Sequence, residues 1–482
     1  MIDTTAASID FSIIAPEIAL LVAAFIILVS VYDRNMRNLA PIIAIAGLLV
    51  SLLIAIEQMG NPKTGFFGMV TCDDFTVVFK ILFLISSLLI LMIGRRYFVS
   101  KNIDRPEFYA LLCISTMGMM VMASTTDLVV IFLGLEIMSV PLYVMAGMDK
   151  HSLESNEAGI KYLIMGAFAS GFLLMGIAFI FGSSGTTDLR RIATDFQFIG
   201  ENYQLYFNAG AVLTLIGFAF KVAAVPFHSW VPDVYQGAPT PVTAFFSVGP
   251  KAAGFAALLR IFNFGFEDME FISDIFWMLA VLTMTVGNIL ALRQGNIKRM
   301  LAYSSIAHAG YILVAFAVGG SAAMSAAVFY LFAYGLFNLG SFAIITQLEI
   351  RSGCKSELSE LSGLSKAHPY LSAALTVFML ALAGFPPTVG FIGKFYLFTA
   401  AIDGGFIWLT VIGVLNSFIS VYYYLRVVKV SFLEKFEGTF VPVKYTPAMM
   451  AVLLITLAGT LGLGIFPEKL LEISRAAIFA FL

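Results

Sequence analysis

Seven ionisable side chains stand inside otherwise apolar runs of this sequence: Lys80, Glu136, Lys161, Lys221, Lys251, Arg260 and Lys394. A charge at the centre of a membrane helix costs roughly 2.5–3.5 kcal/mol on insertion scales, so each needs a partner, water or a change of protonation. Burial favours the neutral amine of a lysine, and a nearby carboxylate favours the ammonium. A glutamate and a lysine whose separation varies therefore form a switchable proton site. Glu136, in FLGLEIMSVPLYV, and Lys221, in GFAFKVAAVPFHSW, are the candidate pair. His308, in RMLAYSSIAHAGYIL, is a candidate relay that titrates near neutral pH, and Tyr303, Ser304 and Ser305 give it a polar trail. Lys251 has no acid near it, since Val242 to Leu259 contains none, so water or Ser247 must solvate it.

Each position has a plainer reading beside it. Lys80 and Arg260 lie near span ends, where long side chains snorkel to the interface. Lys161, close to the start of its span, fits either snorkelling or function. Glu136, Lys221, Lys251 and Lys394 lie too deep to snorkel, and their competing reading is a structural ion pair. For Lys251, the flanking Gly249, Pro250 and Gly254 also suggest a close helix contact.

Such residues have to be positioned by spanning helices, which need about 20 mostly apolar residues each. About fourteen runs qualify, near 11–31, 39–57, 75–94, 107–123, 127–147, 160–183, 207–227, 240–262, 272–292, 300–318, 322–349, 370–402, 407–430 and 446–466. The twelfth is too long for one straight helix and carries Gly384-Phe385-Pro386-Pro387, which predicts two half-helices. Pro226 and Pro232 interrupt the seventh in the same way. Proline removes a donor and frees a carbonyl, which a membrane tolerates only where protein or water satisfies it. Two interrupted helices in separate halves point to a transporter of inverted repeats. The expected fold is all-α and polytopic: three helices in 1–106, five-helix repeats in 107–262 and 272–430, and a last helix in 446–482.

Composition agrees. Of 482 residues, 60% are hydrophobic and 12% charged, with a mean hydropathy of +0.93, too little charge to cover a soluble domain of this length. A net charge of −2 gives no basic field for nucleic acid. Cys72, Cys113 and Cys354 are too few and scattered for a disulfide framework or a metal cluster. Asp3 and Asp10 stand where a cleavable leader would carry basic residues, so the first run reads as a span. Thr186 to Phe196 fits a short amphipathic helix or a solvated connector.

Basic residues set the orientation. Arg34, Arg37, Arg95, Arg96, Lys101, Arg105, Lys150, Arg293, Lys298, Arg299, Arg351, Lys355, Lys366, Arg426, Lys429, Lys435 and Lys444 follow odd-numbered spans. The other side has only Lys63, Arg190, Arg191, Lys469 and Arg475, with acids such as Asp73, Asp74, Glu267, Asp268 and Glu270. The expectation is that the basic loops are cytoplasmic and both termini periplasmic.

Phe220 to Phe255, FKVAAVPFHSWVPDVYQGAPTPVTAFFSVGPKAAGF, strongly resembles the antiporter-like membrane subunits of bacterial respiratory complex I. NIKRMLAYSSIAHAGY, AGFPPTVGFIGKFYLF and the GLE segment around Glu136 extend the resemblance over about 107–429. It implies that Glu136 modulates Lys221 and that Lys251 is a central connecting lysine. It further implies that His308 is a relay and Lys394 the terminal lysine; Lys161 matches a further family lysine, and Pro226 and His228 the first break. It implies no cofactor in this chain. NADH, FMN, iron–sulfur clusters and quinone would belong to partner subunits, and the other membrane subunits and the lipid bilayer would be its neighbours. Three other readings stay open: a subunit of a multisubunit sodium/proton antiporter, of a related membrane-bound hydrogenase, or a scaffold whose charges only fix helix register.

Overall fold

The computed structural model describes residues 9–32, 38–195, 199–266, 269–350, 356–434 and 445–479. Arg34, Arg37, Glu267, Asp268, Arg351, Cys354, Lys355, Lys435 and Lys444 lie outside them.

Peptide groups in a bilayer have no water to bond, so an apolar chain satisfies them within helices. The chain runs through α1 (Ala15–Ser30) and α2 (Ala40–Glu57), a hairpin of β1 (Lys63–Gly65) and β2 (Val70–Cys72), then α3 (Asp74–Ser100), α4 (Pro106–Ala123), α5 (Leu128–Ala146) and α6 (Leu153–Ser184). Next come α7 (Leu189–Asp195), α8 (Glu201–Val222), α9 (Trp230–Gly237) and α10 (Thr240–Arg260). The second half holds α11 (Glu270–Ala291), α12 (Ile297–Val318), α13 (Gly320–Glu349), α14 (Leu364–Ala367), α15 (Pro369–Ala383), α16 (Val389–Asp403), α17 (Ile407–Leu433), α18 (Pro447–Ile465) and α19 (Glu468–Phe479). Among the described residues twelve helices are long and apolar enough to cross a membrane, and α1 and α15 are apolar but shorter.

Both interruptions fall where the prolines stand. Helix α8 stops at Val222 with Ala223 at φ 65°, and α9 begins only at Trp230. Helix α15 stops at Gly384, φ 85°, and α16 resumes at Val389. The segment 189–195 is a short helix with Leu189 and Ile192 buried. Helix α19 was not legible in the sequence: it is too polar for a span and lies on α13 and α3. Small residues allow close helix approaches; a Cβ on Gly118 of α4 would stand 2.4 Å from the Met138 nitrogen of α5.

The loops gather on two faces. On one, Thr71 N–H bonds the Ser124 carbonyl at 2.7 Å and Leu189 N–H that of Thr126 at 2.8 Å. On the other, Ile297 N–H meets the Ser356 carbonyl and Leu358 N–H the Gly295 carbonyl, both at 2.8 Å. The second is the face of the basic loops.

Snorkelling is overturned for both span-end cations. Lys80 is fully buried and pairs at 2.8 Å with Glu17 of α1. Arg260 is also buried; its guanidinium bonds Asp73 at 2.8 Å, the Thr76 hydroxyl at 2.7 Å and the Ala123 carbonyl at 3.0 Å. Each is drawn inward by a carboxylate on another element, which sequence position does not show. Burial alone would push the Asp73 carboxyl up, but the Arg260 charge and hydrogen bonds outweigh it and hold it below the ordinary 3.8. Its contribution to stability is therefore complete at neutral pH and is lost only as pH falls below 3.8 toward the folded-state value. Asp73→Asn keeps the side-chain oxygen that caps α3 but removes the carboxylate charge that the buried Arg260 guanidinium bonds. We expect it to cost about 3–5 kcal/mol, read as a lower melting temperature in detergent, with partial recovery when Arg260→Met is added. An unchanged melting temperature would show that the pair does not hold α3 to α10.

Candidate proton-relay site

Lys221 stands in the last turn of α8, with its ammonium 5.7 Å from the Tyr143 ring and 5.4 Å from the Tyr162 ring. Aromatic faces attract a cation without fixing a proton on it. The expected partner does not touch it: among the described residues Glu136 and Lys221 form no ion pair within 4.0 Å. The Ser170 hydroxyl of α6 instead donates to Glu136 Oε1 at 2.5 Å. Ser170 and Lys221 line one small cavity of about 10 Å³, so the glutamate reaches the lysine across a serine.

Lys251 lies in the middle of α10, where every residue is buried. Its ammonium donates to the Ser305 carbonyl of α12 at 2.6 Å and to the Ser305 hydroxyl, with the Tyr334 ring 5.9 Å away. Ser247, the expected solvating group, instead accepts the Asn338 amide at 2.6 Å. The near approach of α8 and α10 places Gly254, one turn from Lys251, against the Lys221 stem.

From Ser305 the polar trail continues along α12. The neighbouring Ser304 hydroxyl meets the Tyr424 hydroxyl of α17. His308 holds Tyr330 of α13 at 2.7 Å through Nδ1 and Tyr424 at 3.1 Å through Nε2. Tyr423 donates to Asn288 of α11 at 2.9 Å, whose amide bonds Tyr311 at 3.1 Å. The Tyr311 ring in turn lies 4.8 Å from the Lys394 ammonium. Tyr303 takes no part in this trail; its ring stacks under Arg299 at 6.0 Å.

Lys394, on α16, turns back across the break. It donates to the carbonyls of Leu382 at 3.2 Å and Ala383 at 3.1 Å, and to the Ser417 hydroxyl at 2.9 Å. Those carbonyls are the ones the break leaves without helical donors. Lys221 precedes its prolines and Lys394 follows them, yet both ammonium groups belong to the C-terminal end of a half-helix, where the helix dipole favours a cation. A cavity of about 500 Å³ edged by Phe385, Phe395, Phe398 and Phe418 adjoins Lys394. Among the described residues neither Lys251 nor Lys394 has a carboxylate within 4.0 Å.

Lys161 is not brought into this trail. Its side chain is 40% exposed on the basic-loop face and pairs with Glu157 at 2.6 Å and Asp233 at 2.7 Å. Asp233 also takes Arg299 at 2.7 Å. His228, in the first break, keeps a buried Nδ1 with no hydrogen-bond partner among the described residues. Among the described residues no group of three or more side chains is placed to hold a metal ion. Ser170, Tyr330, Tyr424, Asn288 and Ser417 were missed by sequence reasoning, because hydroxyl and amide residues are common in spans and nothing local marks their partners.

These features define a polytopic helical membrane protein with lysines strung along a buried polar trail between two interrupted helices. Residues 125–420 match the family described as NADH:quinone oxidoreductase/Mrp antiporter, TM. The chain is 45% identical to NADH-quinone oxidoreductase subunit N of Trichlorobacter lovleyi, over 98% of this chain and 97% of that one. A chain of respiratory complex I from Thermus thermophilus superposes with a TM-score of 0.82 at 32% identity, over 95% of this chain and 98% of its own. A chain of an archaeal membrane-bound sulfane sulfur reductase shares the fold, with a TM-score of 0.88 at 24% identity over 98% of both. The chain belongs to the NADH:quinone oxidoreductase/Mrp antiporter membrane-subunit family.

Proposed function

We propose that this chain is the proton-translocating subunit N of a bacterial NADH:quinone oxidoreductase, respiratory complex I, coupling electron transfer from NADH to quinone with proton transport. The observation that carries this reading is the buried trail itself. Lys251, Ser305, Ser304, Tyr424 and His308 hand over from one to the next by hydrogen bonds or by adjacency along α12, and Tyr311 continues toward Lys394. Full-length similarity to a subunit N supports the choice within the family.

In this reading Glu136 modulates Lys221 through Ser170, Lys251 connects the halves, His308 relays and Lys394 exchanges protons at the far end. Lys161 acts only as part of a surface cluster that Asp233 holds. The repeats are 107–262 and 272–430, the basic-loop face is cytoplasmic, and both termini lie in the periplasm of the inner membrane. NADH, FMN, iron–sulfur clusters and quinone sit on partner subunits. The chain performs no redox chemistry; it binds and releases protons as packing and charge change around its lysines.

Isolation of the tagged chain from native membranes tests the assignment. Flavin- and iron–sulfur-containing partners that oxidise NADH should copurify. Recovery of small antiporter subunits alone, with no flavoprotein, would overturn it.

A further inference from the structure

Under the basic-loop face, a polar cavity of about 230 Å³ opens beside a buried carboxylate that the trail above does not use. Glu349, at the end of α13, is 6% exposed. Its Oε2 accepts the hydroxyl of Thr240, at the start of α10, and its Oε1 that of Ser356. Lys298, in the first turn of α12, lies 3.9 Å from Oε1 and donates to the Ala238 carbonyl at 2.7 Å. The sequence assigns Lys298 to a loop; the structure buries it at 5% exposure. Tyr97, Lys101, Asp149, Glu154 and Glu357 are the other titratable groups around the cavity.

Two features distinguish this cluster from a structural ion pair. The lysine stands off from the carboxylate, and the cavity is polar and large enough for water to reach both. The cluster also points into the trail. Lys298 and Ser305 are seven residues apart on α12, hence on one face and about 10 Å apart along the axis. Ser305 holds Lys251, and the Tyr235 phenol stands beside Ser305, three residues before the carbonyl that Lys298 bonds.

We propose that Glu349 is the intake site through which protons from cytoplasmic water reach Lys251, by way of Lys298, Tyr235 and Ser305. This rests on the chain being a proton carrier. Glu349 takes a proton from hydronium in the cavity and gives it to the neutral Lys298 amine. Water and the Tyr235 and Ser305 hydroxyls each accept one proton and release one, ending on the neutral Lys251 amine. Each carrier between the hydronium and Lys251 returns to its starting state; Lys251 alone ends one proton richer, as the ammonium that Ser305 accepts from.

The test uses the whole complex in proteoliposomes, with proton uptake and NADH oxidation read together. Glu349→Gln keeps hydrogen-bonding capacity but holds no exchangeable acid proton, and it should lower pumping at least about five-fold, with Glu349→Asp recovering most of it. Wild-type pumping by the glutamine variant overturns the proposal. Lys394→Met is measured alongside. If it abolishes pumping while Glu349→Gln does not, the intake fails and the carrier reading stands; if neither variant loses pumping, the carrier reading itself fails. Should Glu349→Gln not assemble, the exposed cavity-edge residue Glu154 decides. In a Cys354→Ser background, Glu154→Cys modified with a bulky impermeant maleimide on inside-out vesicles should block pumping. Pumping that survives complete modification overturns the proposal.

Discussion

Lys251→Met should leave the complex assembled and lower NADH-driven proton pumping about ten-fold or more, with coupled electron transfer falling in step. Methionine keeps most of the lysine volume within α10, so packing around Gly249, Pro250 and Gly254 is little disturbed. What it removes is the ammonium between the α8 break and the α12 hydroxyls, the donor to Ser305. A ten-fold loss corresponds to about 1.4 kcal/mol of barrier, modest beside the cost of carrying a proton across that gap without a base. Native gels of the membranes give assembly, and a pH-sensitive dye gives pumping. If the methionine variant pumps normally and only Lys251→Ala fails, the residue is packing and the halves are joined elsewhere.

Lys221→Arg should be nearly as damaging although it keeps the charge. Guanidinium does not deprotonate at any accessible pH, whereas lysine exchanges its proton. The Tyr143 and Tyr162 rings beside the ammonium attract a guanidinium as they attract the lysine, so assembly should survive. Proton-to-electron ratios equal to wild type would make Lys221 a fixed charge. Glu136→Ala then separates two roles: if the carboxylate works through Ser170, Ser170→Ala should reproduce part of its effect.

Most of the fold was legible because proline, glycine and apolar runs act locally. Pro226, Pro386 and Pro387 placed both interruptions to within a few residues. The deep lysines and His308 were legible for a related reason, since a charge in a 20-residue apolar run is costly wherever the run folds. What sequence could not supply was pairing. Arg260 meets Asp73 from 187 residues away and Lys80 meets Glu17 from another helix, so both seemed free to snorkel. Tyr424 reaches Ser304 across 120 residues, and nothing in its own helix distinguishes it from Tyr422. Ser247 was one turn from Lys251 and was the natural choice, yet helix rotation turned it to Asn338. Lys298 was counted with the loops because it stands at the very start of α12, where burial is decided by neighbouring helices.

The return of Lys394 to the carbonyls of Leu382 and Ala383 bears on stoichiometry. A lysine balanced by a carboxylate shares its titration with that acid, and the pair releases protons in two blended steps. Peptide carbonyls have no proton to contribute. In the proposed relay, Lys394 held only by backbone dipoles would gain or lose one proton per visit, and the electrical work of each cycle at this end of the chain would be counted in single charges.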